Sequence, residues 1–232
     1  MWYRLNRLVL GTLLRNIVDV RVEGREHEPP PPYLLIANHA SAIDDPLVAL
    51  AVRARLYFIA KEELADNWFV RLWIRSLGNF FVRRHEVDRG AMRRSEEILR
   101  SGRALCVFPE GTRSLDGRLG QMWTGAAYLA LRTGVPVLPV GLWGNYRAMP
   151  RGAPWVRRDA QGRRYAVRVR VGPAIPVARA VGRITHAMKE ELTARFRQAL
   201  IDLLPPEQHP LPEPPRDPEA SLASRAGRTS GG

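Results

Sequence analysis

The chain has one cysteine, two lysines and five histidines in 232 residues. Each shortage removes a class of protein. A single cysteine, Cys106, allows no intramolecular disulfide and no cysteine-rich zinc site. It stands in "ALCVF", a run that reads as a buried strand, so it is a packed core thiol rather than a nucleophile. No apolar run approaches the roughly 20 residues needed to span a bilayer. The first residues carry Arg4, Arg7 and Arg15 around a short apolar centre, without a small-residue cleavage site. That composition does not fit a secretory signal. The phosphate-binding patterns GxxxxGK[ST] and GxGxxG are absent, which leaves nucleotide-driven and hydride-transfer chemistry without support. So is GxSxG, the nucleophile elbow of α/β-hydrolases.

Arginine is what the chain has in excess. All but Lys61 and Lys189 of its 36 basic residues are arginine, and the formal net charge is +13. Such a surface suits anionic partners: phosphorylated substrates, acidic lipid headgroups or nucleic acid. The length and the 45% hydrophobic share suit one large domain with a substantial core.

Periodicity divides the chain into alternating helices and strands. Trp2, Leu5, Val9 and Leu13 follow helical spacing and predict an amphipathic helix over residues 1–18. Strands are predicted at 20–22, 33–37, 56–60, 79–82, 104–108 and 165–171. Helices are predicted from Pro46 to about Arg53, over 88–101 with Gly102 following, over 122–133 closed by Gly134, and over 183–204. Asp45-Pro46 reads as an N-cap and first helical position. "NWFVRLWIRSLG" reads as a second basic amphipathic helix. "VPVLPVGLW" is a strand by its valines, and Pro136 and Pro139 suggest an edge or irregular position. Residues 144–164 hold six arginines and one acid and read as a basic excursion. The expectation is an α/β fold with a largely parallel sheet flanked by helices and an N-terminal amphipathic helix. The domain spans 1–204, with an α/β core at 33–171 and a C-terminal helix at 183–204. A proline-rich tail, 205–232, is expected to be disordered.

Two polar blocks directly follow apolar strands, where parallel sheets carry their sites. The first is "NHASAID", residues 38–44, with His39 five positions before Asp44. A histidine oriented by a carboxylate is half of a catalytic triad. No nucleophile accompanies it, and Ser41 reads as a turn residue. The nucleophile then belongs to the substrate, a hydroxyl for which His39 is general base. The rival chemistry, a metal on His39 and Asp44, lacks further ligands: His27, His85, His186 and His209 are scattered. The second block is "FPEGTRS", residues 108–114, which offers Glu110, a closely approachable Gly111, two hydroxyls and Arg113. Arginine with backbone N–H groups suits a phosphate monoester. The plainer alternative is a turn in which Glu110 pairs with Arg113. "GNFFVRR", residues 78–84, brings another arginine pair to a strand end.

These blocks resemble the 1-acylglycerol-3-phosphate O-acyltransferase family. "NHASAID", "GNFFVRR" ending in Arg84, "FPEGTRS" and "VPVLPVG" occur in the family's order across 37–141. The resemblance implies His39 as base, Asp44 as its orienting partner, and Arg84, Glu110, Gly111 and Arg113 around the acceptor's glycerol phosphate. Arg83 departs from the family habit of an acidic or polar residue there, so either arginine could meet the phosphate. The implied reaction is acyl transfer from acyl-CoA or acyl carrier protein to 1-acyl-glycerol 3-phosphate, giving phosphatidic acid. The acyl donor is a co-substrate, and no metal or other cofactor is expected. Glycerol 3-phosphate or another lysolipid remains an alternative acceptor, and release of free fatty acid an alternative outcome. A non-catalytic basic protein bound to membrane or nucleic acid is the alternative of another class. The expected placement is monotopic, on the cytoplasmic side of the cell membrane, with no nucleic-acid partner.

Overall fold

The apolar run after the proline-rich loop is buried on both faces, as a central strand of a parallel sheet must be. In a computed structural model the chain is described over residues 2–61, 80–82 and 89–211. Its elements are α1 (Trp2–Ile17), β1 (Asp19–Glu23), β2 (Leu34–Ala37), α2 (Asp44–Ala51), β3 (Leu56–Lys61), β4 (Phe80–Val82), α3 (Arg89–Arg100), β5 (Ala104–Val107), α4 (Gly125–Thr133), β6 (Val137–Trp143), α5 (Asn145–Ala148), β7 (Ala166–Val171) and α6 (His186–Leu203). The strands form one sheet in the order β1-β7-β6-β2-β5-β3-β4. All neighbours run parallel except β6 and β7, which are antiparallel.

Two cores lie on the two faces. Leu35 and Ala37 of β2 join Leu138, Val140 and Leu142 of β6 beneath Leu14 of α1 and Leu47, Val48 and Ala51 of α2. Leu34 and Ile36 face the other way, toward Leu99 of α3, Leu129 of α4 and Phe196 and Leu200 of α6. This is the period-two alternation of a strand with helices on both sides. The expected fold class is therefore observed.

Three local expectations are corrected. Helix α2 begins at Asp44, with Ile43 before it, so Asp45 lies in the first turn and Pro46 is the third helical residue. Proline is tolerated there because the first N–H groups of a helix have no internal partner. Pro139 is not at an edge: β6 lies between β7 and β2. The Pro139 carbonyl accepts from Gly172 N–H at 2.9 Å, and a strand residue turns both backbone groups to one side. Its missing N–H thus faces β7 just short of the ladder, which begins at Val140 opposite Val171. Finally, residues 205–211 are ordered against the domain. Pro206–Gln208 form a turn of 3₁₀ helix, Gln208 is buried, and its carbonyl accepts from Leu119 N–H at 2.9 Å. The averaged composition of the tail concealed these first residues. The helix expected at "NWFVRLWIRSLG", the arginines Arg83 and Arg84, and residues 212–232 lie outside the described residues.

Candidate active site

Three adjacent parallel strands, β5, β2 and β6, end together at one edge of the sheet. The residue after each end contributes to one cluster. His39 follows β2, Phe108 and Glu110 follow β5, and Asn145 follows β6 at the start of α5. This is where an open α/β sheet gathers its site.

Asp44 is the centre of the cluster. It is fully buried, and both carboxylate oxygens are satisfied. Its Oδ2 faces His39 Nδ1 at 2.9 Å and accepts from the Ala40 and Ser41 N–H groups at 2.7 and 2.8 Å. Its Oδ1 accepts from Asn145 Nδ2 at 2.7 Å. A buried carboxylate persists only with such partners. They also assign the imidazole tautomer: Nδ1 carries the proton toward Asp44, and Nε2 keeps a lone pair. The His39 side chain remains 16% exposed, so a substrate can reach that nitrogen.

The ring is fixed from its face as well. His39 stacks on Phe108, with centroids 4.1 Å apart and planes 20° from parallel. Its backbone is held from the second block on both sides. His39 N–H donates to Glu110 Oε1 at 2.7 Å, and Ser114 N–H donates to the His39 carbonyl at 2.7 Å. Asn38 ties the loop to β6, since its amide exchanges two hydrogen bonds with the Leu142 backbone at 2.8 and 2.9 Å. Ser41 is buried, and its hydroxyl donates to the Met149 carbonyl at 2.7 Å, in keeping with a turn residue rather than a nucleophile. Cys106 is buried in β5 beneath this edge, and burial pushes its thiol well above the usual range.

The second block folds as its residues dictate. Gly111 N–H donates to the Phe108 carbonyl at 3.0 Å, closing a turn with Pro109 second and Gly111 last. Gly111 has φ +67°, a region that side chains disfavour. The glycine thus sets the shape of the turn. Glu110 is buried, and its second oxygen accepts from Gly120 N–H at 2.8 Å. These contacts describe a carboxylate that clamps two loops together. Arg113 is partly exposed, one residue before the Ser114–His39 contact, and its charge acts on Asp45 beside the site. The cluster thus unites His39, Asp44, Glu110, Gly111 and Arg113, while Arg84 lies outside the described residues.

Burial raises the Glu110 carboxyl from its ordinary 4.5 to about 7, against the opposing pull of the Gly120 and His39 amides. Between those values the folded chain keeps a proton that the unfolded chain has released. This group's contribution to stability therefore declines as pH rises from about 4.5 to about 7 and is constant above. The stability difference between wild type and Glu110→Gln, measured by urea unfolding, should shrink across that window by an amount on the order of a few kcal/mol. A difference independent of pH would contradict the assignment.

Comparison with known proteins agrees with this geometry. Residues 19–143 match the family model described as Acyltransferase. A probable 1-acyl-sn-glycerol-3-phosphate acyltransferase of Mycoplasma pneumoniae is 34% identical over 147 residues, covering 60% of this chain and 54% of that protein. A 1-acyl-sn-glycerol-3-phosphate acyltransferase of Chlamydomonas reinhardtii is 32% identical over 198 residues, covering 81% of this chain and 54% of that one. The chain thus spans about half the length of these curated relatives. The crystal structure of the 1-acyl-sn-glycerophosphate (LPA) acyltransferase PlsC from Thermotoga maritima superposes with a TM-score of 0.69 at 30% identity, over 87% of this chain and 79% of that one. By its fold, its motif order and the match across its core, the chain belongs to the Acyltransferase family.

Proposed function

We propose that the protein transfers an acyl group from a thioester donor to the free hydroxyl of 1-acyl-glycerol 3-phosphate, giving phosphatidic acid. The observation that carries this reading is the His39–Asp44 pair at 2.9 Å, with the neighbouring Ser41 hydroxyl engaged by the Met149 carbonyl rather than by the imidazole. His39 Nε2 takes the proton from the acceptor hydroxyl as its oxygen attacks the thioester carbonyl. The tetrahedral intermediate collapses, the C–S bond breaks, and the imidazolium returns its proton to the departing thiolate. Asp44 stabilises the imidazolium between those steps. Glu110, Ser114 and Phe108 hold the ring in position, acting through the loop and the stack.

The acceptor's phosphate falls to Arg113 in this reading, together with Arg84 of "GNFFVRR". The donor is acyl-CoA or acyl carrier protein. Attachment to a membrane surface on the side where acyl thioesters are made is part of the same proposal. It is supported by α1, which packs Leu14 inward and leaves Leu5, Leu8, Val9 and Leu13 exposed. Among the described residues no helix is long and apolar enough to cross a membrane, so contact from the surface fits this helix.

His39→Ala should lower turnover about 10²- to 10⁴-fold in folded protein, the usual worth of a general base. Asp44→Asn should lose less, because the histidine remains. Rates are read from label passing from acyl-CoA to lysolipid, and wild-type turnover in His39→Ala would end the proposal. Arg113→Ala should raise the acceptor KM about 10- to 100-fold, since a charged hydrogen bond is worth roughly 1.5–3 kcal/mol. The KM for acyl-CoA should hold. An effect confined to acyl-CoA would assign the arginine to the donor instead.

A further inference from the structure

A second basic site lies away from the catalytic cluster. One side of α1 from Tyr3 to Arg15, the loop after β1 and the segment after α2 line an open cavity of about 560 Å³. Arg7, Arg15, Arg25, Arg53 and Arg55 line it, with Leu8 among the apolar lining. Helix α2 separates the two sites: Asp44 is its first residue, whereas Leu50 lies in its last turn, roughly 9 Å along the axis, and Arg53 follows its end. The helices meet closely, because a Cβ on Gly11 would fall 2.8 Å from Leu50 Cδ2. The cavity is therefore built into the packing of α1 on α2.

Three of these arginines are held in place by the fold. Arg7 donates to the Arg53 carbonyl at 3.0 Å, and Arg25 donates to the Leu50 carbonyl at 2.9 Å. Arg55 lies over the rings of Tyr3 and Tyr57 at 5.3 and 5.1 Å. The Arg25 Nε is buried and lacks a hydrogen-bond partner. Burial, followed by the charges of Arg7, Arg15 and Arg53, pushes the Arg25 guanidinium below its ordinary value, and only Glu28 acts the other way. Glu28 is itself engaged: its oxygens accept from Tyr33 Oη and from the Arg53 and Ala54 N–H groups at 2.9, 2.6 and 2.9 Å. Like charges gathered around one cavity repel until an anion joins them.

We propose that this cavity is a phosphate-binding site separate from the acceptor site, taking the phosphate of an anionic glycerophospholipid headgroup. Planar guanidinium groups with several N–H donors match phosphate oxygens. The volume exceeds that of a bare phosphate ion and admits a headgroup. The cavity also borders Leu8, which is 66% exposed beside Leu5 and Val9 on α1, so a ligand with an anionic head and an apolar tail matches both surfaces. Free phosphate shares the recognition chemistry, and the test separates the two sources. The lipid assignment rests on the surface-attachment reading above, but the site itself does not.

The test uses the full chain and the variant Arg15→Gln/Arg53→Gln, which retains the Arg7 and Arg25 hydrogen bonds. A control, Arg93→Gln/Arg195→Gln, removes the same charge from exposed positions on α3 and α6. The probes are inorganic phosphate and a short-chain phosphatidylglycerol kept below its micelle concentration, titrated calorimetrically. Neither requires membrane attachment, so failure of that reading leaves the result interpretable. The wild type and the control should bind the phospholipid alike, and the Arg15→Gln/Arg53→Gln variant at least about tenfold more weakly, with turnover on a dispersed acceptor unchanged. Weakening of inorganic phosphate alone would support the cavity with free phosphate as its ligand. Equal behaviour of both variants toward both probes would overturn the site.

Discussion

The Asp44 carboxylate is the constraint on which the catalytic edge depends. A fully buried carboxylate needs several donors, and it obtains them from the ring of His39, two consecutive backbone N–H groups and the amide of Asn145. Each donor comes from a segment that must be in place for the charge to be stable there. The loop after β2 must curl so that Ala40 and Ser41 turn their amides inward. The chain after β6 must start α5 where Asn145 reaches across. One charge therefore specifies the shape of two strand ends, and the histidine's tautomer follows from it.

Glu110 performs the corresponding task for the third strand. Its two oxygens hold amides of His39 and Gly120, which lie far apart in sequence. With Ser114 donating back to the His39 carbonyl, the two motif loops form a closed hydrogen-bonded unit. Phe108 then completes the setting as the surface on which the imidazole rests. Four groups position one ring, so its remaining nitrogen has little freedom. That is the preorganisation a general base requires, because a substrate hydroxyl brought to Nε2 meets a lone pair already aimed.

Much of this was legible in sequence because parallel sheets are regular. An apolar strand followed by a polar block marks a site, and that rule located His39, Asp44, Glu110 and Arg113. Applied to "VLPVGLWGN" it would also have found Asn145, but the arginines that follow made the segment read as a basic excursion. Phe108 was read as part of a block valued for its charge and hydroxyls, and a stacking role leaves no spacing signal. The resemblance places Glu110 with the acceptor's glycerol phosphate. Only the fold reveals that its oxygens meet backbone amides, since such contacts depend on which strands lie side by side. Pro139 misled because a strand's neighbours are a property of the sheet. Where a proline's missing N–H points cannot be read from one strand. The arginines around the α1–α2 cavity come from separate segments at positions 7, 15, 25, 53 and 55, and no local pattern announces that they meet.

In the proposed reaction the attacking oxygen belongs to the acceptor, with Ser41 hydrogen-bonded to Met149 and Cys106 sealed in β5. The most direct measurement is a rapid-quench experiment with acyl-labelled CoA and no acceptor, following both free thiol and label on the denatured protein. No burst of thiol and no acylated protein should form until lysolipid is added, after which thiol and esterified lipid appear together. A stoichiometric burst of thiol with label bound covalently to the chain before acceptor arrives would contradict it.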